Sequence, residues 1–490
     1  AGPTSTPSPG PTASPTTTAT DGPTGVPTAG PTLAPTEIPT PVPSSGPSPY
    51  PSFVPSSQPS DFPSMFPPLF PVLSRSSDDA FLTAGAHAAN ETSPEILLGA
   101  YYYPWHTNNF HNNEPYIRDY LVPRQEPYPF GEYDDRNPDV IAEHLRFSRK
   151  ANIRLWVASF FGRNGREDIT LRQTIFPHPD LGDLKIAIHY ETMSLLKRRA
   201  GAGDPNGFAV NETYYSVDEY EDPFKDPSRD DRFKGVAGDM DFFCEKYFSH
   251  PNYFVINNRP VVVIYLTRSI DTGKKWAKAK LPNGTIDEWD EYELLQEVQM
   301  KMVSRREDPS SPCWNSPTPF LVGDQIFNEY SSSRDDVALS LMDAITGYDV
   351  YGHLEAQISE ADGGDMYAGQ ELEDFYRVKK RGWKNACDTN PPRCHFIPSV
   401  TPGFNDLGYR VRTTKVNDVP VAVRRPLSRR LSATAAEGSL LAKSIEFASE
   451  LVDPDVLNLV LLTSFNEWHE DTQIEPVYTD PLERGRVVNQ

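Results

Sequence analysis

No stretch of about 18 apolar residues occurs in this chain of 490 residues, so no segment reads as a membrane-spanning helix. Basic residues are in the minority, 46 against 68 acidic ones, which leaves a formal net charge of −22. That balance argues against nucleic acid or an anionic membrane surface as the main partner. Cysteine is scarce. Cys244, Cys313, Cys387 and Cys394 are all there is, at spacings that match no zinc site. Cys387 and Cys394 flank Asp-Thr-Asn-Pro-Pro-Arg and can close a small loop ahead of a predicted strand; the alternative is four separate buried thiols. The opening Ala1-Gly-Pro-Thr has neither the basic start nor the apolar core of a signal peptide. A secretion signal, if the protein is exported, is expected to lie outside this sequence.

Residues 1–72 are poor in charge and in apolar pattern. Asp21, Glu37 and Asp61 are their only charged residues, and the first basic residue is Arg75. Of the 49 prolines, 21 fall at or before Pro71, interleaved with Ser and Thr. Proline removes backbone donors and there is too little apolar surface for a core, so 1–72 reads as a disordered, extended stalk or linker. Ser/Thr-rich stalks of this kind are common O-glycosylation substrates. Residues 73–95 read as a connecting segment and 96–490 as the folded domain. Sequons at Asn90, Asn211 and Asn283 make N-glycosylation an expectation in a secretory pathway.

The folded part is a series of short apolar runs, the mark of parallel strands buried on both faces. Eight are found, at 96–103, 155–160, 185–191, 260–266, 320–324, 344–348, 395–400 and 457–465. Helical stretches such as 138–151 and 438–451 lie between them. Eight strands with helical crossovers predict an α/β fold, the (β/α)8 TIM barrel. The runs end in polar and aromatic residues: Tyr103 and Trp105, His189 and Glu191, Tyr265, Asp324, Tyr348, and Asn466 to Glu470. Barrel enzymes build their active sites at that end of the strands.

The most informative segment is Leu461-Leu-Thr-Ser-Phe-Asn-Glu-Trp-His-Glu470. An apolar strand runs straight into Glu467 and Glu470, with Trp468 and His469 between them. Glycoside hydrolysis needs one carboxylic acid to protonate the leaving oxygen and a second carboxylate as base or nucleophile. Repulsion and partial burial are expected to raise one pKa of the pair, so one residue type supplies both acid and base. Trp468 offers a flat face for a sugar ring. The structural alternative is that Glu467 and Glu470 merely cap and solvate a helix start. A metal site from His469 and the glutamates is disfavoured, because no second His stands at helical ligand spacing.

The run Thr463-Ser-Phe-Asn-Glu-Trp-His-Glu-Asp-Thr-Gln-Ile-Glu475 resembles the signature of glycoside hydrolase family 99, the endo-acting α-mannosidases and α-mannanases. Collinear segments are similar too: Tyr101-Tyr-Tyr-Pro-Trp105, Asn137-Pro-Asp-Val-Ile141 with His144 and Ala151, Lys185-Ile-Ala-Ile-His-Tyr-Glu191, Arg259 to Tyr265, and Phe396 to Asp406. The resemblance spans roughly residue 96 to 480. It implies a barrel that hydrolyses α-mannosidic bonds with retention and without a cofactor or metal. Glu467 would act as base on the sugar's 2-hydroxyl, forming an anhydro-sugar, and Glu470 as acid/base for the leaving group. Tyr103, Trp105, His189, Glu191, Tyr265, Tyr348, Asn466 and Trp468 would line the sugar subsites.

Two segments depart from the family pattern. Glu191-Thr-Met-Ser-Leu-Leu-Lys stands where the family has Pro-aromatic and a Gly-Arg pair. Leu407-Gly-Tyr-Arg and then Arg424-Arg-Pro-Leu-Ser-Arg-Arg430 stand where it tends to have Arg-Pro-Trp. The catalytic pair is therefore expected intact and the subsites altered. A basic rim suits a sulfated or uronate-bearing polysaccharide, against the plainer reading of a surface charge cluster. Other readings are a barrel that binds cell-wall carbohydrate without turnover, or a structural glycoprotein in which the stalk matters most. The expected partner is a carbohydrate, the expected state a monomer, and the expected location secreted or cell wall, with the Golgi lumen as alternative. Removing residues 1–72 should shift the melting temperature by less than the few degrees that about 1 kcal/mol represents; a larger drop would show that the segment packs on the domain.

Overall fold

The computed structural model describes residues 95–107, 126–199, 213–215, 235–265, 277–280, 286–289, 291–324, 330, 332–348, 367–389, 393–405, 415–416, 419–420 and 427–478. The chain divides into two units, Ala1–Ala89 and Asn90–Gln490, and every described residue falls in the second. The predicted stalk at 1–72, the connecting segment up to residue 94 and the three sequons lie outside the described residues.

All eight expected strands are present: β1 (Leu97–Tyr102), β2 (Ile153–Phe160), β3 (Lys185–Tyr190), β4 (Arg259–Ile264), β5 (Phe320–Asp324), β6 (Ala344–Thr346), β7 in two halves (His395–Phe396 and Ser399–Val400), and β8 (Leu459–Leu462). Each pairs in parallel with its sequence neighbours. The first half of β7 pairs with β6 and the second half with β8, while β8 pairs with β1. The order therefore returns to its start and the sheet is a TIM barrel. The split in β7 falls at Ile397-Pro398, where proline has no N–H to donate to the ladder.

Crossovers supply the outer layer: α1 (Pro138–Lys150), α2 (Arg166–Thr170), α3 (Gly235–Lys246), α4 (Glu291–Ser304), α5 (Ser332–Leu341), α6 (Arg381–Cys387) and α7 (Ser439–Ser449). The start of α1 shows why the sequence makes a helix there. Asn137 caps it by accepting from the Asp139 amide at 3.0 Å, Pro138 occupies the first turn, and Arg149 and Lys150 sit at the negative end of its dipole. Antiparallel hairpins in the connections, such as Ala277–Lys280 with Ile286–Trp289, were not anticipated from the sequence. They lack the long apolar runs that marked the barrel strands.

Alternation along each strand separates two cores. Outward residues such as Tyr102, Trp156, Ile188, Val262 and Leu462 pack in one cluster with helix residues such as Leu145, Phe243 and Phe447. Inward residues such as Leu155, Val157, Ala187, Val263, Val322 and Leu461 fill the barrel. The inward positions turn from aliphatic to polar and aromatic toward the C-terminal ends of the strands. Tyr101, Ser159, His189, Asp324 and Thr346 are all fully buried there.

Both cysteine pairs are disulfides, which overturns the alternative of four thiols. Cys244 on α3 joins Cys313 ahead of β5, and Cys387 at the end of α6 joins Cys394 ahead of β7. Gly99 lies between Leu155 and Leu461 in the strand register. A Cβ there would stand 2.9 Å from Leu461 Cδ2 and 3.1 Å from Leu155 Cδ2. Gly99→Ala should therefore overpack the barrel and lower stability by about 1–3 kcal/mol. Urea unfolding measures this, and unchanged stability would mean that the two leucines have room to turn away.

Candidate active site

β8 ends at Leu462 and the chain enters a compact loop whose two arms are pinned together. Ser464 N donates to Thr472 O at 2.8 Å, and Glu475 N donates to Phe465 O at 2.9 Å. Ser464 Oγ accepts from the Glu467 amide at 2.8 Å. The loop thus carries Glu467 and Glu470 as a braced turn at the open end of the barrel. Arg429 clamps its far side, donating through Nη2 to Asp471 O at 3.0 Å, Asp471 Oδ1 at 3.0 Å and Gln473 O at 2.9 Å. Arg430 pairs with Glu437. These two members of the expected basic rim are thus engaged within the protein, and Arg424 and Arg425 lie outside the described residues.

Glu467 is buried, and its Oε1 accepts from both the backbone N–H of His469 at 2.8 Å and His469 Nδ1 at 3.0 Å. Glu470 is half-buried, with Oε2 3.4 Å from the Tyr348 hydroxyl. Tyr348 in turn accepts from the Tyr103 hydroxyl at 2.6 Å, and its amide donates to Asp324 Oδ1 at 3.0 Å. Trp105 is half-buried and tilted against Tyr103 and Phe161, with ring centroids at 4.4 Å and 5.6 Å. Its buried Nε1 has no partner among the described residues and remains a donor for a ligand. Tyr265 is half-buried and stands edge-on to His189 and Tyr348.

Two expected subsite residues have other work. Trp468 is fully buried beside Tyr133, Val140 and Val477, with Nε1 donating to Glu475 Oε2 at 3.0 Å. Its ring has no open face, so it is not a stacking platform. Asn466 is also fully buried. Its Oδ1 accepts from Tyr103 N at 2.8 Å and its Nδ2 donates to Tyr103 O at 3.0 Å, so it ties the β8 loop to the end of β1.

Among the carboxyls at this rim, Glu191 is strongly perturbed by burial. It is held by the Ser159 hydroxyl at 2.6 Å and lies 3.4 Å from His189 Nδ1. Desolvation, with the neighbouring charges of Glu467, Glu167 and Glu470, pushes its pKa from 4.5 up to about 8, against the Ser159 hydrogen bond. At neutral pH it therefore carries a proton. His189 is driven by burial the other way, to about 3, and stays uncharged. Tyr103 is raised first by burial and then by Glu191, Glu467 and Glu470, which places one phenol and three carboxyls in a common electrostatic neighbourhood. Ser159, which holds Glu191, was not singled out in the sequence, and His469, which holds Glu467, was weighed there only as a metal ligand. Nothing local marks a serine in an apolar strand, and the Glu467–His469 contact depends on how the turn is bent.

Among the described residues, His395, Asp453 and Asp455 are the group with ligand atoms close enough for a metal ion. They lie at the start of β7 and just ahead of β8, at the opposite end of the barrel from the carboxylates.

The site is thus a carboxylate cluster walled by aromatic rings at the C-terminal end of a parallel barrel. No family model matches the chain. The glycoprotein endo-alpha-1,2-mannosidases of Rattus norvegicus and Mus musculus are each 23% identical to it over 412 residues, 77% of this chain and 67% of theirs. The GH99 endo-alpha-mannosidase from Bacteroides thetaiotaomicron aligns with a TM-score of 0.44 at 17% identity, over 81% of this chain and 92% of that one. A solved glycoside hydrolase-like protein aligns at 0.48 and 17%, over 80% and 91%. The two curated relatives support a GH99-like family for this chain, at low identity.

The raised pKa of Glu191 has a consequence for stability. Between about pH 4.5 and 8 the folded protein keeps a proton on this group that the unfolded chain has lost. Its contribution to stability is therefore full below pH 4.5 and is lost as pH rises through about 8. Glu191→Gln should remove that decline, so that urea-unfolding free energies of variant and wild type diverge from pH 5 to pH 8. Parallel curves over that range would show that Glu191 ionises normally.

Proposed function

We propose that this chain is an endo-acting, retaining glycoside hydrolase that cleaves α-mannosidic bonds in a glycan or mannan-type polysaccharide. The observation that carries the reading is the convergence of Glu467, Glu470 and Glu191 with Tyr103, Tyr348 and Trp105 at the C-terminal rim. The names of the curated relatives support the same class.

In this proposal Glu467 is the base. His469 holds Oε1 and fixes the carboxylate's direction, while Oε2 has no partner among the described residues and is left for the sugar's 2-hydroxyl. As Glu467 removes that proton, the 2-oxygen attacks the anomeric carbon and a 1,2-anhydro sugar forms. The bond to the leaving oxygen breaks as Glu470 gives that oxygen a proton. Glu470, now ionised, takes a proton from water, which attacks the same carbon and opens the ring, and the 2-oxygen recovers its proton from Glu467. Two inversions leave the product in the α configuration. A protonated Glu191 donates a hydrogen bond to a sugar oxygen without adding a second negative charge to the acid–base pair. Both disulfides fit an oxidising compartment, in keeping with a secreted, cell-wall or Golgi-lumenal setting. No helix among the described residues is long and apolar enough to cross a membrane.

Product analysis after digestion of an α-mannan and of mannose-rich glycans tests the activity. NMR in the first minutes of reaction tests the stereochemistry, with an α anomer expected; a β product rules out retention. Glu467→Gln and Glu470→Gln should each lower kcat by about 10²–10⁴-fold while the fold is kept. A 2-deoxy substrate should bind without turnover, and its rapid hydrolysis would remove the role given to Glu467. Binding of glycans by a wild-type protein that releases no product would favour a carbohydrate-binding glycoprotein instead.

A further inference from the structure

Behind the rim, three side chains meet on one buried carboxylate. Glu475 is 1% exposed. Its Oε1 lies 3.0 Å from His144 Nε2 on α1. Its Oε2 accepts from the Tyr133 hydroxyl at 2.7 Å and from Trp468 Nε1 at 3.0 Å. The other ring nitrogen of His144, Nδ1, is 2.9 Å from the hydroxyl of Tyr102 on β1. An ionised carboxylate only accepts, so Nε2 carries the imidazole proton and Nδ1 accepts from Tyr102. Through its own amide, Glu475 is also bonded to Phe465 O at the root of the loop.

We propose that Glu475 is the positioning residue of this site. Through Trp468 it fixes the turn that carries Glu467 and Glu470, and through His144 and Tyr102 it refers that turn to α1 and β1. The inference rests on the function proposed above. Trp468 stands between the two glutamates in the chain, so a rotation of its ring displaces both. The ring is fully buried against Tyr133, Val140 and Val477 and does not reach the cleft. In catalysis a misplacement of about 1 Å costs on the order of 10²-fold in rate.

Tyr133 donates the same kind of bond to the same oxygen without belonging to the turn, and this separates positioning from mere stability. Trp468→Phe keeps an aromatic ring at this position but loses the N–H anchor together with part of the indole. With an α-mannan oligosaccharide as substrate, its kcat should fall by about 10–100-fold while KM stays within about twofold. Tyr133→Phe should keep kcat within about threefold. Glu475→Gln should keep most of the activity. The amide oxygen accepts from Tyr133 and Trp468, and the amide nitrogen donates to His144 once its proton moves to Nδ1. Glu475→Leu, which strands all three donors, should lose what Trp468→Phe loses or more, and the phenylalanine variants carry the test if it does not fold. Trp468→Phe within about twofold of wild type, or Tyr133→Phe losing as much as Trp468→Phe, overturns the proposal. A wild-type protein inactive on every α-mannoside would refute the proposed function and not the anchor. The Trp468 indole proton resonance, assigned by its loss in Trp468→Phe, then decides: a shift in Glu475→Gln supports the anchor and no shift overturns it.

Discussion

β8 is hydrogen-bonded on one side to β1 and on the other to the second half of β7, and the open end of the barrel depends on that double pairing. Because β8 closes the ring, its C-terminal end points into the same mouth as the ends of β1 and β3. The loop that follows is then braced from three directions: by Asn466 on the Tyr103 backbone, by Arg429 on Asp471 and Gln473, and by Glu475 on Trp468. The first two of these contacts are not local. Tyr103 and Asn466 are 363 residues apart and are joined by two hydrogen bonds. Preorganisation of this kind lets a site hold charged groups without paying reorganisation during reaction.

Charge is the other constraint. Three carboxyls brought into one aromatic-walled mouth repel one another, and their burial raises the cost of each ionised form. The protein resolves this by unequal environments. Glu467 receives two N–H donors from His469. Glu191 receives a hydroxyl in a dry strand end and keeps its proton at neutral pH. His189 adjoins Glu191 but is left uncharged by burial, so it gives Glu191 no compensating positive charge. One residue type thus meets different environments at different positions, as acid–base chemistry requires.

The segments that depart from the family pattern also acquire a physical account. Leu195 and Leu196, within the altered stretch after β3, are buried in the outer core. Arg429 and Arg430, from the basic stretch, satisfy a loop and a neighbouring acid. A cluster of like charges in the sequence does not become a field at the surface when its members are paired within the fold.

The sequence by itself determined the strand series, because a parallel strand buried on both faces must be a nearly unbroken apolar run, and eight such runs are eight barrel strands. It also located the residues at the C-terminal ends of those runs, so Glu467, Glu470, Tyr103, Trp105 and Glu191 were legible as a set. It did not separate residues that face the cleft from those that hold the cleft in shape. Asn466 and Trp468 sit beside Glu467 in the chain, yet the bend of the loop turns both inward. The raised pKa of Glu191 follows from the dryness of the β3 end and from charges hundreds of residues away. Tertiary structure alone decided these matters, because side-chain direction, desolvation and through-space repulsion depend on distances that sequence separation does not encode.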